Sequence, residues 1–141
     1  MKFDKTFIAQ MNKKNVLDII RTKGPINKSQ IAKLAELSIP TVMKISDEFV
    51  EAGLIQATGK GESRGGKRPE MLELISNAYY MVGVDMGRSK TISIIMNLNG
   101  DILNKKVMKT GSTNPAGKLL DRVICLIDGT IQESGIPAQK I

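Results

Sequence analysis

Residues 26–53, INKSQIAKLAELSIPTVMKISDEFVEAG, contain two helix starts in close succession. Asn27 and Ser38 are residue types that cap helix N-termini, and Gln30 stands where the glutamine of a capping box belongs. Pro40 falls in the first turn of the second helix, where its missing N–H costs no hydrogen bond. The sequence therefore predicts two helices joined by a tight break, which is the spacing of a helix-turn-helix.

A further helix and two strands are predicted on either side of this pair. Asn12 is expected to cap a helix that runs to about Arg21 and is stopped by Gly24-Pro25. Residues 54–58 and 71–75 predict the two strands of a hairpin, the wing of a winged helix. The inward positions of the three helices are expected at Val16, Leu17, Ile19, Ile20, Ile31, Leu34, Ala35, Val42, Ile45, Phe49 and Val50.

The predicted hairpin loop combines glycine with positive charge. Gly65 and Gly66 stand among Arg64, Lys67 and Arg68. Glycine allows a close backbone approach, and arginine gains from the negative potential of a narrow A·T-rich minor groove, so the loop suits an arm that binds DNA there. A solvated interdomain linker has the same composition, and a linker can also be the arm.

Polar residues near the helix starts are candidates for DNA contact. In a helix-turn-helix, the outward positions of the second helix meet base edges in the major groove, and the start of the first helix grips phosphate. Ordinary solvated helix residues would give the same pattern. The candidate base-reading residues are Ser38, Ile39, Pro40, Thr41 and Lys44, and the candidate phosphate contacts are Lys28 and Ser29.

The second half of the chain predicts a β-β-β-α arrangement. Residues 80–85, 91–97 and 101–109 have β-rich composition, and Asn99-Gly100 indicates a type I′ hairpin turn. A helix is expected from Pro115 to about Gly135, with Leu119, Leu120, Val123, Ile124, Ile127 and Ile131 on one face. The fold class is therefore α+β, with a domain boundary near residue 76 that separates residues 1–75 from residues 76–141.

Composition narrows the class of protein. The chain has 141 residues, a net charge of +7, a pI near 9.6, one cysteine (Cys125) and no histidine. A basic balance favours a polyanionic partner, and a single cysteine favours a reducing compartment. No signal peptide or membrane span is predicted, so the chain is expected to be cytoplasmic. No nucleophile–base pair stands out, and we expect no enzyme activity, no cofactor and no metal site.

A turn in the second half could hold a phosphate group. Asp85 ends a predicted strand, and Gly87 and Ser89 follow in a small polar turn whose backbone N–H groups could face an anion. A plain hairpin turn explains these residues equally well.

Three motifs resemble the ROK family of repressors and kinases, and among its members the xylose repressors most. They are MNKKNVLD at residues 11–18, GESRGGKRP at residues 61–69 and VGVDMG at residues 82–87. The resemblance implies a winged helix-turn-helix followed by the first, incomplete β-β-β-α part of an actin-like sugar-sensing domain. It also implies a homodimeric repressor of sugar-utilisation genes that binds double-stranded DNA at a palindromic, A·T-rich operator. In full-length members of the family, the repressor is released by a sugar, here expected to be xylose.

Two alternative functions remain open at this stage. A sugar kinase of the same family, or a remnant of one, would use the VGVDMG segment for ATP, although such kinases carry Gly-Thr where this chain has Arg88-Ser89. A winged helix can also act as an adaptor that binds protein in place of DNA.

Overall fold

The computed structural model of the chain describes residues 4–60, 68–111 and 116–141. The chain divides into two compact units, Met1–Ile75 and Ser76–Ile141. In the part of the chain that is described, both units mix helices with a three-stranded antiparallel sheet, which confirms the α+β class. Among these residues, no helix is both long and apolar enough to cross a membrane.

The first unit contains three helices and one small sheet. Its elements are α1 (Lys5–Lys23), β1 (Ile26–Asn27), α2 (Lys28–Ala35), α3 (Ile39–Glu51), β2 (Ile55–Lys60) and β3 (Glu70–Leu74). The strand order is β1-β3-β2, so β3 is central and pairs antiparallel with both neighbours. The predicted hairpin after the third helix is therefore present, and a short strand before α2 completes its sheet.

One apolar core holds these elements together. It is built from Val16, Ile20, Ile26, Ile31, Ala32, Ala35, Val42, Ile45, Phe49, Ile55 and Leu72, all of which are buried. Two inward positions predicted from sequence are wrong, since Leu34 and Val50 are exposed. In α2, the buried residues are Ile31, Ala32 and Ala35, so Ala32 is buried where Leu34 was predicted.

The first helix begins earlier than its sequence pattern predicts. Asp4 caps it, because its carboxylate accepts a hydrogen bond from the Thr6 N–H (3.3 Å), and Asn12 lies within the helix. The buried stripe of α1 starts only at Val16, while the apolar side chains at positions 7, 8 and 11 are exposed. A prediction based on the buried stripe therefore placed the start too late.

The second unit is a sheet packed against one helix. Its elements are β4 (Tyr80–Met86), β5 (Lys90–Asn97), β6 (Ile102–Lys109), α4 (Ala116–Ser134) and a short 3₁₀ helix (Ala138–Lys140), with strand order β4-β5-β6. The Asn104 side-chain amide donates to the Thr130 carbonyl of α4 (3.1 Å), and Lys106 pairs with Glu133 of α4 (2.6 Å). These contacts place α4 on the face that carries the buried residues of β5.

Two details of this unit differ from the sequence prediction. On α4, Val123 is buried but Leu120 and Ile124 are exposed, so the predicted apolar face is only partly covered. The turn after β5 is not type I′, because φ is positive at Gly100 (+90°) and not at Asn99. Instead, the Gly100 N–H donates to the Asn97 carbonyl (3.0 Å) within a three-residue loop. The predicted first residue of α4, Pro115, lies outside the described residues.

Candidate nucleic-acid interface

The start of α3 is held by its own side chains. Ser38 caps the helix by accepting from the Thr41 N–H (3.3 Å), and the hydroxyl oxygens of Ser38 and Thr41 lie 2.8 Å apart. Pro40 occupies the first turn, as predicted, and is exposed. Lys44 follows one turn later on the exposed side. Ile39, also a predicted site residue, is half exposed at the first helical position.

The start of α2 positions Lys28 and Ser29. Asn27 and Gln30 form the predicted capping box: the Asn27 side chain accepts from the Gln30 N–H (2.9 Å), and the Gln30 side chain accepts from the Asn27 N–H (3.2 Å). The box determines where α2 begins and hence where the next two side chains point. The Lys28 ammonium then pairs with the Asp47 carboxylate of α3 at 3.0 Å.

The wing contributes two basic residues to the described part of the chain, Lys60 at the end of β2 and Arg68. Arg68 lies just before β3 and is exposed. The other predicted wing residues, Arg64, Gly65, Gly66 and Lys67, lie outside the described residues, and their contact with DNA stays a prediction.

A single cleft of about 850 Å³ brings together three of the predicted residues from separate elements. Lys28 and Ser29 come from the start of α2, and Arg68 comes from the wing. Among the described residues, the lining comprises Asn27, Lys28, Ser29, Met43, Ala57, Gly59, Arg68, Pro69 and Glu70. Ser38, Ile39, Pro40, Thr41 and Lys44 are not part of this lining. Met43 of α3 does line the cleft, although no role was predicted for it from the sequence.

Carboxylates outnumber cations on α3, which carries Lys44 against Asp47, Glu48 and Glu51. Glu48 pairs with Lys13 of α1 at 2.6 Å. The hydrogen bond from Lys13, followed by the charges of Lys13 and Lys44, lowers the pKa of the Glu48 carboxyl and outweighs the opposing effect of desolvation. The carboxylate form of Glu48 is therefore favoured in the folded state. It links α1 to α3 and lies within the electrostatic reach of Lys44.

The predicted phosphate loop forms a tight turn between β4 and β5. The Gly87 N–H, one of the backbone donors a phosphate would need, donates instead to the Lys90 carbonyl at 2.9 Å. The Gly87 carbonyl accepts from the Thr110 hydroxyl (2.7 Å), and the Ser89 carbonyl accepts from the Thr110 N–H (3.0 Å). Asp85 is exposed at the end of β4. The backbone groups of the turn are thus used in a bond within the hairpin and in two bonds to Thr110, which follows β6.

Comparisons with known proteins agree with this architecture. A family model described as the MarR family matches residues 11–62. The chain is 28% identical over 129 residues to the xylose repressor of Caldicellulosiruptor bescii, which covers 92% of this chain and 32% of that protein. It is 29% identical over 96 residues to the N-acetylglucosamine repressor of Escherichia coli O6:H1, which covers 68% of this chain and 24% of that protein.

A solved structure shares the fold of nearly the whole chain. The crystal structure of a ROK family transcriptional regulator, a homologue of the E. coli MLC protein, superposes with a TM-score of 0.71 at 25% identity. The superposition covers 91% of this chain and 32% of that chain. The present chain therefore spans about a third or less of the length of the relatives it matches.

The two levels of similarity define the class of protein. The first unit is a MarR-like winged helix-turn-helix, as its three helices, its wing and the family match all indicate. The predicted resemblance to ROK-family transcriptional repressors, xylose repressors among them, is confirmed by matches that extend through both units.

Proposed function

We propose that this chain is the DNA-binding portion of a sequence-specific transcriptional repressor of sugar-utilisation genes. The observation that carries the proposal is the cleft in which Lys28, Ser29 and Arg68 converge beside α3. Because these residues come from two separate elements, their convergence is a property of the folded unit and not only of a basic stretch of sequence. The net charge of +7 and the names of the relatives, which are repressors and not enzymes, support the same function.

Each part of the surface has a distinct role in this proposal. The outer residues at the start of α3 enter the major groove, where Lys44 supplies an exposed cation and Ser38, Ile39, Pro40 and Thr41 shape the contact. Since the Ser38 and Thr41 hydroxyls bond to each other, we expect them to hold the helix start more than to read bases. Lys28 and Ser29 contact phosphate, and Arg68 leads the wing, with residues 64–67, into the minor groove.

The proposal extends to the operator and the effector, and the names of the relatives support the choice of effector. We expect a homodimer on a palindromic, A·T-rich operator, with the two copies of α3 about one DNA turn, roughly 34 Å, apart. Xylose is the first candidate effector because xylose repressors match over most of this chain. N-acetylglucosamine is the competing candidate, because a repressor named for it also matches.

The test is selection of duplexes from a randomised library, followed by fluorescence anisotropy on the selected and a scrambled duplex at several salt concentrations. We expect a preference of about a thousandfold or more for the selected duplex. Lys44→Ala should reduce the preference for the selected duplex over the scrambled one. Lys28→Ala should weaken binding to both duplexes equally. It should also reduce, by about one, the steepness with which the logarithm of the binding constant falls with the logarithm of the salt concentration. Lys105→Ala, an equal charge loss at an exposed position of β6, is the control.

The outcomes separate the parts of the proposal. Weak, equal and salt-steep binding to both duplexes would refute sequence-specific recognition by this chain. Equal losses on both duplexes for Lys44→Ala would refute its role as a base reader. Xylose and N-acetylglucosamine are then added to the preformed complex. Release by xylose alone would support the first candidate, and release by N-acetylglucosamine alone would reassign the effector.

A further inference from the structure

Two exposed apolar side chains lie four residues apart in the first half of the helix assigned to DNA reading. Ile39 is 49% exposed and Met43 is 46% exposed. Residues four apart on a helix are neighbours on its surface, so the two form one apolar patch along α3. The inward side of α3 is already filled by Val42, Ile45 and Phe49, which are buried. The patch is therefore not part of the core.

The surroundings of this patch favour a polyanion over an apolar protein surface as its partner. Met43 lines the same cleft as Lys28, Ser29 and Arg68. Lys44, the residue after Met43, is exposed. Two carboxylates are also nearby, Glu70 in the same cleft and Asp47 paired with Lys28. The cations beside the apolar patch fit a ligand that combines negative charge with an apolar group.

Double-stranded DNA offers one such apolar group in its major groove, the 5-methyl group of thymine. Four helical residues span about 6 Å along the axis, and successive base pairs are about 3.4 Å apart. A helix lying in the groove could therefore place Ile39 and Met43 against thymines one or two steps apart. The flexible, polarisable side chain of methionine suits such a contact.

We propose that Ile39 and Met43 determine part of the operator sequence by contacting thymine methyl groups. This inference rests on the proposed function, because it requires α3 to lie in the major groove. It adds Met43 as a specificity-determining residue. It also gives Ile39 a specific chemical partner, while Lys44 supplies the polar contact beside it.

The test removes the methyl groups one at a time. In the tightest duplex selected by the wild-type chain, each thymine is replaced by deoxyuridine and the Kd is measured by anisotropy. We expect at least one substitution per half-site to weaken binding about fourfold, the effect of one buried methyl-sized group of about 0.8 kcal/mol. If Met43 contacts that methyl group, the same deoxyuridine substitution should leave the Kd of Met43→Ala unchanged. If Ile39 contacts it, the Kd of Ile39→Ala should be unchanged instead.

Val50→Ala is the matched control. Val50 is also apolar and 49% exposed on α3, but it lies near the opposite end of the helix. Val50→Ala should therefore keep the wild-type response to deoxyuridine. All three positions are exposed, so the variants are expected to fold, which circular dichroism can verify.

The possible failures are distinguishable. If the wild-type chain selects no duplex, the proposed function and this inference are both refuted. If it selects duplexes but no deoxyuridine substitution changes the Kd by more than twofold, only the methyl-reading inference is overturned. The inference is also overturned if Ile39→Ala and Met43→Ala leave the deoxyuridine pattern unchanged and instead alter self-association in sedimentation. The patch would then be a protein contact.

Discussion

Lys28 and Asp47 join the start of α2 to the outer side of α3 through an ion pair of 3.0 Å. The Lys28 side chain is 26% exposed, while that of Asp47 is 66% exposed. In the proposed complex Lys28 binds phosphate, and the pair places a carboxylate beside that phosphate. Asp47 therefore competes with DNA for the same ammonium group and repels the DNA backbone.

Asp47→Asn should raise affinity for DNA of any sequence. The change frees Lys28 and removes one negative charge, and an exposed ion pair contributes about 0.2–1 kcal/mol, so we expect a gain of up to roughly fivefold. Anisotropy on selected and scrambled duplexes measures it. Glu133→Gln, which breaks the comparable pair with Lys106 in the second unit, is the control and should leave affinity unchanged. A gain confined to the selected duplex would contradict this account.

Glu36→Gly should stabilise the first unit. Glu36 ends α2 with φ +55°, a left-handed conformation that is unfavourable for residues with a Cβ. Glycine removes that strain but has more freedom in the unfolded chain, so we expect a net gain of roughly 0.5–1 kcal/mol in the free energy of unfolding. Urea denaturation measures it. Lys33→Gly, at an exposed position inside α2, should instead cost about 1 kcal/mol.

Ser46→Ala should also stabilise the first unit. The Ser46 hydroxyl is buried in α3 and has no hydrogen-bond partner among the described residues. Alanine removes the desolvated group and favours the helix, so the free energy of unfolding should rise by about 1 kcal/mol. Val42→Ala, at a fully buried apolar position of the same helix, should lower it by roughly 2 kcal/mol. A loss of stability in Ser46→Ala would mean that the hydroxyl has a favourable contact.

The stability of the first unit should depend on pH through Glu48. Its pKa in the folded state is below the ordinary value of 4.5, mainly because of the hydrogen bond from Lys13. Folding therefore favours the carboxylate, and this stabilisation is present above the ordinary pKa and lost as the pH falls through the folded pKa. Urea denaturation between pH 7 and pH 3 should show a shallower fall in stability for Glu48→Gln than for the wild type.

Lys13→Met tests the cause of that dependence from the other side of the pair. Without the Lys13 ammonium, the carboxyl loses the hydrogen bond that lowers its pKa. Lys13→Met should therefore flatten the pH dependence as Glu48→Gln does. If the stability of Lys13→Met depends on pH as steeply as that of the wild type, the lowered pKa of Glu48 would be due to Lys44 instead.

Local rules predicted the helix starts of the helix-turn-helix well. The capping box at Asn27 and Gln30 and the Ser38 cap depend on hydrogen bonds between residues three apart, so the sequence contains all the information they need. The start of α1 was missed because its first turns are apolar but exposed. The turn at Gly100 was assigned to the wrong type because the loop has three residues and not two.

The site was predicted less completely, for a tertiary reason. Lys28, Ser29 and Arg68 were each singled out from sequence, but their shared cleft depends on how β3 packs beside α2. The pair of Lys28 with Asp47 joins residues nineteen positions apart, which no local pattern indicates. Met43 was missed because a methionine on a helix is equally compatible with the core and the surface, and only the folded unit shows it exposed.

The position of β3 at the centre of its sheet has a mechanical consequence. β3 is the last element before residue 76, so the polypeptide leaves the first unit through its middle strand and not through an edge. Met71 of this strand pairs with Asn27, the residue that caps α2 directly before Lys28. A pull on the chain after β3 would first load the pairs of Leu74 and Glu73 with β2, because pairing with β1 begins only at Leu72. It would therefore strain the wing before it reached the start of α2.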